Sequence, residues 1–266
     1  MRLAAFTLVE LLVVISILAM LMAVVFPVFA SSREQAQMIA CRTNIHGLLV
    51  GLHNYEAEYQ ALPYGFDFKD GAQPPGGHLG FAHYNLQGWW WFHLTGMVRH
   101  RKEVDAIRCP SKKLEDPILN RDVLCGNYGV NRALCRVESP MISTPFRKAF
   151  AGPPVSTSAI RHPGSTLLIV DSGYTLISWW QATANPPGPL DDFDIESTAY
   201  VPGLEINKNR ALWPGQSCDA VGGRHPNKTV NVGFADGHAD PQEASELLVE
   251  KTEDGSYTNT ALWYAQ

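Results

Sequence analysis

The stretch from Phe6 to Ala30, FTLVELLVVISILAMLMAVVFPVFA, constrains this chain more than any other, and its one ionisable side chain is Glu10. As an α-helix rising about 1.5 Å per residue, these roughly 25 residues extend about 37 Å. That length crosses a hydrocarbon core of about 30 Å with some tilt. A cleaved secretory signal is the competing reading, with Val28-Phe29-Ala30 as the small-residue cleavage site and Arg2 as a minimal basic region. Two features favour a retained segment. The run exceeds the roughly 7 to 15 apolar residues of an export signal. It also holds a carboxylate that costs roughly 2.5 to 3.5 kcal/mol at the centre of a membrane helix, less near the interface, and such a group marks a partner.

Composition bounds the rest. The 266 residues allow one large domain or two small ones. Charged residues at 18% fall below the roughly 25% of an average soluble protein, while 45% hydrophobic and 10% aromatic residues exclude a disordered chain. With 22 Gly and 18 Pro, collagen-like and low-complexity classes are excluded as well. A net charge of −5 and a pI near 6.0 supply no clustered positive field, so no nucleic-acid partner is expected.

The start of the chain, MRLAA-FTLVEL, resembles the processing site of type IV prepilins and type II secretion pseudopilins, where a short basic leader ends just before Phe-Thr-Leu-x-Glu. The matching residues are Ala5, Phe6, Thr7, Leu8, Glu10 and Leu11; Ala5 stands where Gly is usual. The resemblance implies cleavage by a prepilin peptidase between Ala5 and Phe6 and N-methylation of Phe6. It also implies that Glu10 meets the N-terminal amine of a neighbouring pilin-like subunit. A buried carboxylate is tolerated when such a charge-assisted partner arrives.

Beyond Ala30 the chain turns polar but stays periodic, with Met38, Cys41, Ile45, Leu48, Leu49, Leu52, Tyr55 and Tyr59 at spacings of three and four. One helix from about Phe6 to about Tyr59 is predicted. Pro27 is expected to kink it and Pro63 to close it. Its apolar stripe should pack on a C-terminal globular domain. Cys41, Asn44, Leu48, Leu52, His53, Asn54, Tyr55, Tyr59 and Pro63 further resemble the first soluble helix of a planctomycete-type pilin-like family. Cys109-Pro110-Ser111 and Tyr128-Gly129-Val130-Asn131 recur in that order in the same family.

Three adjacent tryptophans, Trp89 to Trp91, cannot all face one side. Core packing is the adopted reading, with a carbohydrate-stacking platform as the alternative. Thr166 to Asp171 and Tyr174 to Trp180 are apolar runs around Ser172-Gly173, a hairpin signal. The acidic stretch Asp191, Asp192, Asp194 and Glu196 reads as a solvated loop; its spacing fits no EF-hand calcium loop. Thr229 to Ala235 reads as the last long strand, followed by Asp236-Gly237 as a type I′ turn pair. Asp240, Pro241 and Glu243 have the pattern of a helix start, so Gln242 to Lys251 is predicted helical.

Arg224-His225 followed by Asn231 to His238 resembles the second motif of the same family, a His, nine residues, then Asp-Gly. Here ten residues lie between His225 and Asp236. The residue types of His225, Asp236 and His238 would suit a metal or acid/base chemistry. The adopted reading is structural: Asp236 and Gly237 as turn residues of positive φ, and His225 as a donor to a backbone carbonyl. No catalytic residue, cofactor or metal is expected, because no G-x-S-x-G, H-E-x-x-H or phosphate-binding glycine loop is present. Five cysteines, Cys41, Cys109, Cys125, Cys135 and Cys218, leave at least one without an intramolecular partner, and spacing does not give their connectivity.

The expectation is therefore an α+β, pilin-like fold: a long N-terminal helix, membrane-spanning in its first half, packed on a globular domain with an antiparallel β-sheet. Residues 1–5 form the leader, 6–30 the membrane half of the helix, 31–62 its soluble half and 63–266 the globular domain. The expected role is a non-enzymatic subunit of a type IV pilus or type II secretion pseudopilus. Arg2 before the span and Arg33 and Arg42 after it slightly disfavour the N-terminus inside, and the resemblance decides the orientation instead. The resemblance implies a single-pass inner-membrane protein with an extracytoplasmic domain, partnered by prepilin peptidase, other pilin-like subunits and the membrane. A membrane-anchored glycan binder and a cell-envelope enzyme are the rival readings.

Overall fold

A computed structural model describes residues 8–67, 89–97, 105–137, 150–187 and 199–264. Ala5 and Phe6, and the acidic stretch from Asp191 to Glu196, lie outside the described residues.

One helix, α1, runs from Leu8 to Tyr59 and keeps Pro27 inside it without interruption. It ends where Gln60 adopts φ 62° and donates its N–H to the Glu56 carbonyl at 2.7 Å, a left-handed helix stop three residues before Pro63. The helix has two distinct halves. From Leu8 to Phe29 its large apolar side chains are exposed, and none of its most apolar 18-residue stretch is buried. From Cys41 onward one stripe is buried: Cys41, Ile45, Leu48, Leu49 and Leu52. Met38 and Tyr55 sit at its margin, while Tyr59, grouped with that stripe by its spacing, is 58% exposed.

The stripe docks on a five-stranded sheet in the order β5-β3-β4-β6-β7. Its strands are β3 (Tyr128–Asn131), β4 (Leu167–Asp171), β5 (Leu176–Ile177), β6 (Thr229–Phe234) and β7 (Ala239–Glu243). A separate two-stranded ribbon pairs β1 (Phe66–Asp67) with β2 (Trp89–Trp90). The contact between α1 and β6 is close because residue 233 is glycine. A Cβ there would meet Ile45 at 2.8 Å, Leu49 at 2.9 Å and Ile169 at 2.7 Å. The side chains of β6 alternate, so Val230, Val232 and Phe234 face away from α1 into a second apolar layer with Trp179, Trp180, Leu247 and Trp263. The sheet is thus buried on both faces.

Three local readings are corrected. Ser172-Gly173 does not make a hairpin: β3 lies between β4 and β5, antiparallel to the first and parallel to the second. Ser172 N–H donates to Asn127 and Gly173 N–H to Tyr200, so long-range partners take the groups that a tight turn would use. The β6–β7 hairpin does form, but not on a type I′ turn. Gly237 has φ 96° whereas Asp236 is not left-handed. Gly237 N–H donates to Phe234 O at 3.0 Å, and Phe234 N–H to His238 O at 2.9 Å. Residues 235 to 237 therefore form a three-residue loop closed by a left-handed glycine. Finally, residues 239–243 are strand, not the start of a helix, and a short 3-10 turn, Ala244–Leu247, follows. Pro241 pairs with Asn231 on the edge strand. Alternation from the Phe234–His238 bond makes that pair non-hydrogen-bonded, so the missing N–H of Pro241 falls on the open edge.

Because Gly237 sits at positive φ, Gly237→Val should lower the stability of the folded domain by about 1 to 3 kcal/mol. Thermal melts of the detergent-solubilised chain measure this; an unchanged melting temperature would show that the loop tolerates a β-branched residue.

Four of the paired tryptophans belong to the core. Trp90, Trp91, Trp179 and Trp180 are buried, and Trp89 is half-buried. Trp91 Nε1 donates to Thr175 Oγ1 at 2.9 Å, and Trp90 packs against Phe66 and Tyr174. The four buried rings offer no open stacking face.

Candidate functional site

Four elements bring titratable groups together under the helix. Cys41 comes from the buried stripe of α1. Cys109 comes from the Cys-Pro-Ser loop, where its N–H donates to Asn127 Oδ1 at 3.0 Å. Asn127 is itself held by donating to Val123 and Cys125 carbonyls. Asp171 ends β4 opposite Tyr128. Arg224 and His225 lie just before β6. Ligating atoms of Cys41, Cys109, Asp171 and His225 all lie within 4.8 Å of one another, and all four residues are buried.

Within this cluster the two sulfur atoms, Cys41 Sγ and Cys109 Sγ, are 2.6 Å apart. His225 Nε2 bonds Asp171 Oδ2 at 2.9 Å. The same oxygen accepts the backbone N–H of Asn231 at 2.7 Å and its side-chain amide at 3.2 Å. Arg224 forms a second, adjoining pair. Its Nε and Nη2 fork onto Asp219 at 3.1 and 2.7 Å, its Nη1 donates to Asn127 O at 2.7 Å and its Nη2 to Ser172 O at 3.1 Å. Nη1 also lies 3.7 Å from Asp171 Oδ1. The Arg224, Asp171, Asp219 and His225 side chains have no exposed surface.

The electrostatics follow from these contacts. Burial would push His225 down, but the Asp171 carboxylate outweighs it and raises the imidazole to about 9. Burial would push Asp171 up, and His225, Arg224 and the Asn231 N–H hold it below the usual carboxylate range. The contact with Cys109 holds Cys41 down to about 5 against its burial, with His225 acting in the same direction. Burial, reinforced by Cys41, pushes Cys109 well above an ordinary thiol. A thiol, an imidazole and a carboxylate in a row are the parts of an activated nucleophile. Here none of the three reaches the surface, and the arrangement binds elements together.

The structure divides the residues singled out from the sequence. Glu10 is exposed in the first turn of α1. His225 joins the buried cluster, and its partner is a carboxylate, not the backbone carbonyl expected. Asp236, Gly237 and His238 lie on the β6–β7 loop, where Asp236 and His238 bond each other; they do not converge with His225. Asp171, Arg224 and Asp219 were not visible as a site in the sequence. The signals available were the Cys109 motif and the Arg preceding His225.

Comparison with known proteins gives two matches. Residues 1–26 match the prokaryotic N-terminal methylation motif, and residues 30–122 match a family described as protein of unknown function (DUF1559). No curated protein and no solved structure matches. The second match spans the buried stripe of α1 and the Cys109 loop, while the first covers most of the exposed apolar half of the helix. An N-terminal methylation motif like that of pilin-like proteins is thus joined, through one unbroken helix, to a region similar to the DUF1559 family.

Proposed function

We propose that this chain is a membrane-anchored structural subunit of a type IV pilus or a type II secretion pseudopilus, processed by a prepilin peptidase and assembled with other pilin-like subunits. The observation that carries this reading is the bare apolar half of α1. A helix whose second half is buried in the domain projects a first half with exposed apolar side chains and a carboxylate near its start. Apolar surface of that extent needs a lipid or helical surround. The methylation motif on the same residues supports cleavage before Phe6. The burial of Trp90, Trp91, Trp179 and Trp180 speaks against a glycan platform, and the sealed thiol–imidazole–carboxylate cluster against an enzyme. The domain stands outside the cytoplasm in this proposal, on the inner membrane.

Two measurements test it. N-terminal sequencing of the membrane-extracted chain should give Phe6; a start at Met1 or Ser31 refutes processing of this kind. Glu10→Val should insert as well as the wild type, because it removes a costly carboxylate from the span. The same variant should drop out of filaments, and the ladder of crosslinked oligomers in membranes should disappear. Equal ladders for the two proteins would remove Glu10 from assembly.

A further inference from the structure

We infer that Cys41 and Cys109 are joined by a disulfide bond that ties the soluble half of α1 covalently to the globular domain. Of the five cysteines, all of them among the described residues, these are the two whose side chains meet. Both are buried, and they come from elements 68 residues apart in sequence.

A shared metal ion is the rival use of this cluster, since Cys41, Cys109, Asp171 and His225 are a ligand set of the right types. Two thiolates on one tetrahedral zinc, at about 2.3 Å each, stand about 3.8 Å apart. The sulfur atoms here are 2.6 Å apart, which leaves no room for an ion between them. Asp171 and His225 are moreover already committed to each other. Charge points the same way. His225 with Asp171 and Arg224 with Asp219 make two balanced pairs, and a disulfide adds no charge to them.

An external disulfide, small molecule or protein, is the oxidant. Cys41 gives up its proton and its thiolate attacks one sulfur, releasing the other, which takes up a proton as a thiol; Cys109 then gives up its proton and displaces the remaining sulfur from Cys41, which leaves as the second thiol. Two protein thiols and one external disulfide become one protein disulfide and two external thiols. Exchange must precede closure of the core over the pair. The supply of oxidant rests on the extracytoplasmic placement proposed above.

Peptide mapping decides the matter. The chain is extracted from membranes, denatured without reductant, alkylated and digested. Linked Cys41 and Cys109 peptides are expected, with Cys125, Cys135 and Cys218 alkylated. Reductant should lower the melting temperature of the wild type by roughly 10 °C, and the Cys41→Ala/Cys109→Ala double variant should be insensitive to it. If Cys41 and Cys109 are both alkylated even after incubation with oxidised glutathione, the bond is refuted. Stoichiometric zinc that shields both thiols until a chelator is added refutes it in favour of a metal. The same digest reports the N-terminus. A bond that forms only with added glutathione, on a chain starting at Met1, supports the pairing and counts against the placement.

Discussion

Arg224→Met is expected to lower the stability of the folded domain by about 3 to 5 kcal/mol. The guanidinium forks onto Asp219, reaches towards Asp171 and satisfies two backbone carbonyls, all without solvent contact. Removing one partner of a buried pair leaves the other charge uncompensated in a medium that cannot solvate it, and that residue of charge sets the size of the loss. The linear apolar side chain fills part of the volume but supplies no donor. Arg224→Lys should recover only part of the loss, because a point ammonium cannot reproduce the fork on Asp219. Urea titrations followed by tryptophan fluorescence report the difference, since Trp90, Trp91, Trp179 and Trp180 lie in the two apolar layers of the same domain. A loss below about 1 kcal/mol would mean that Asp219 and Asp171 find other partners.

Raising the pH from about 6.5 to 9 is expected to cost roughly 3 kcal/mol of stability through His225 alone. The folded imidazole titrates at about 9 and the unfolded one near its ordinary value of 6.5. The folded state therefore binds the proton more tightly, and its advantage is fully present below about pH 6.5. It is lost progressively as the pH rises through the folded value. Each unit of difference is worth about 1.4 kcal/mol, and no discount for solvent applies because the His225 and Asp171 side chains have no exposed surface. Asp171 acts on the other side: its depressed carboxyl stabilises the fold above about pH 3.8, and this is lost as the pH falls further. Urea midpoints of the wild type and of His225→Gln between pH 6 and 9.5 test the prediction. With Cys41 and Cys109 joined, so that neither thiol titrates, the wild type should lose more stability across the window than the variant; the difference between the two profiles isolates His225 from Lys112, which burial holds down to about 8. Parallel profiles would show that the imidazole is not charged in the folded state.

Much of the fold was legible because it is written in local periodicity. The three-and-four spacing from Met38 to Leu52 announces the buried stripe, and Gly233 on the facing strand lets it approach. Strand β6 is equally plain from its alternation. What failed were signals that fit two structures. Ser172-Gly173 suits a hairpin, but β3 offers β4 and β5 a partner of its own, and long-range pairing prevailed. Asp240-Pro241 with Glu243 suits a helix start, yet so soon after a tight turn they also suit an edge strand, where the missing N–H of proline does no harm. The cluster was illegible for a different reason. Its groups stand at positions 41, 109, 171 and 225, and no spacing in the sequence says that they meet. His225 was singled out through a motif, and its partners had to come from the fold.

The edge at Pro241 bears on how copies of this domain can meet. A sheet grows by offering a row of free N–H and C=O groups, and an exposed row invites a strand from a neighbouring chain. Here the outer row of β7 is interrupted at Pro241, with Asp240 and Gln242 on either side. The opposite edge, β5, offers only Leu176 and Ile177. Neither side provides the length on which a foreign strand could settle. In the filament proposed above, contacts between the five-stranded sheets of neighbouring domains are then made by side chains, with register and order left to the helices beneath them. Such subunits can be crowded along a shared axis without their sheets fusing into one.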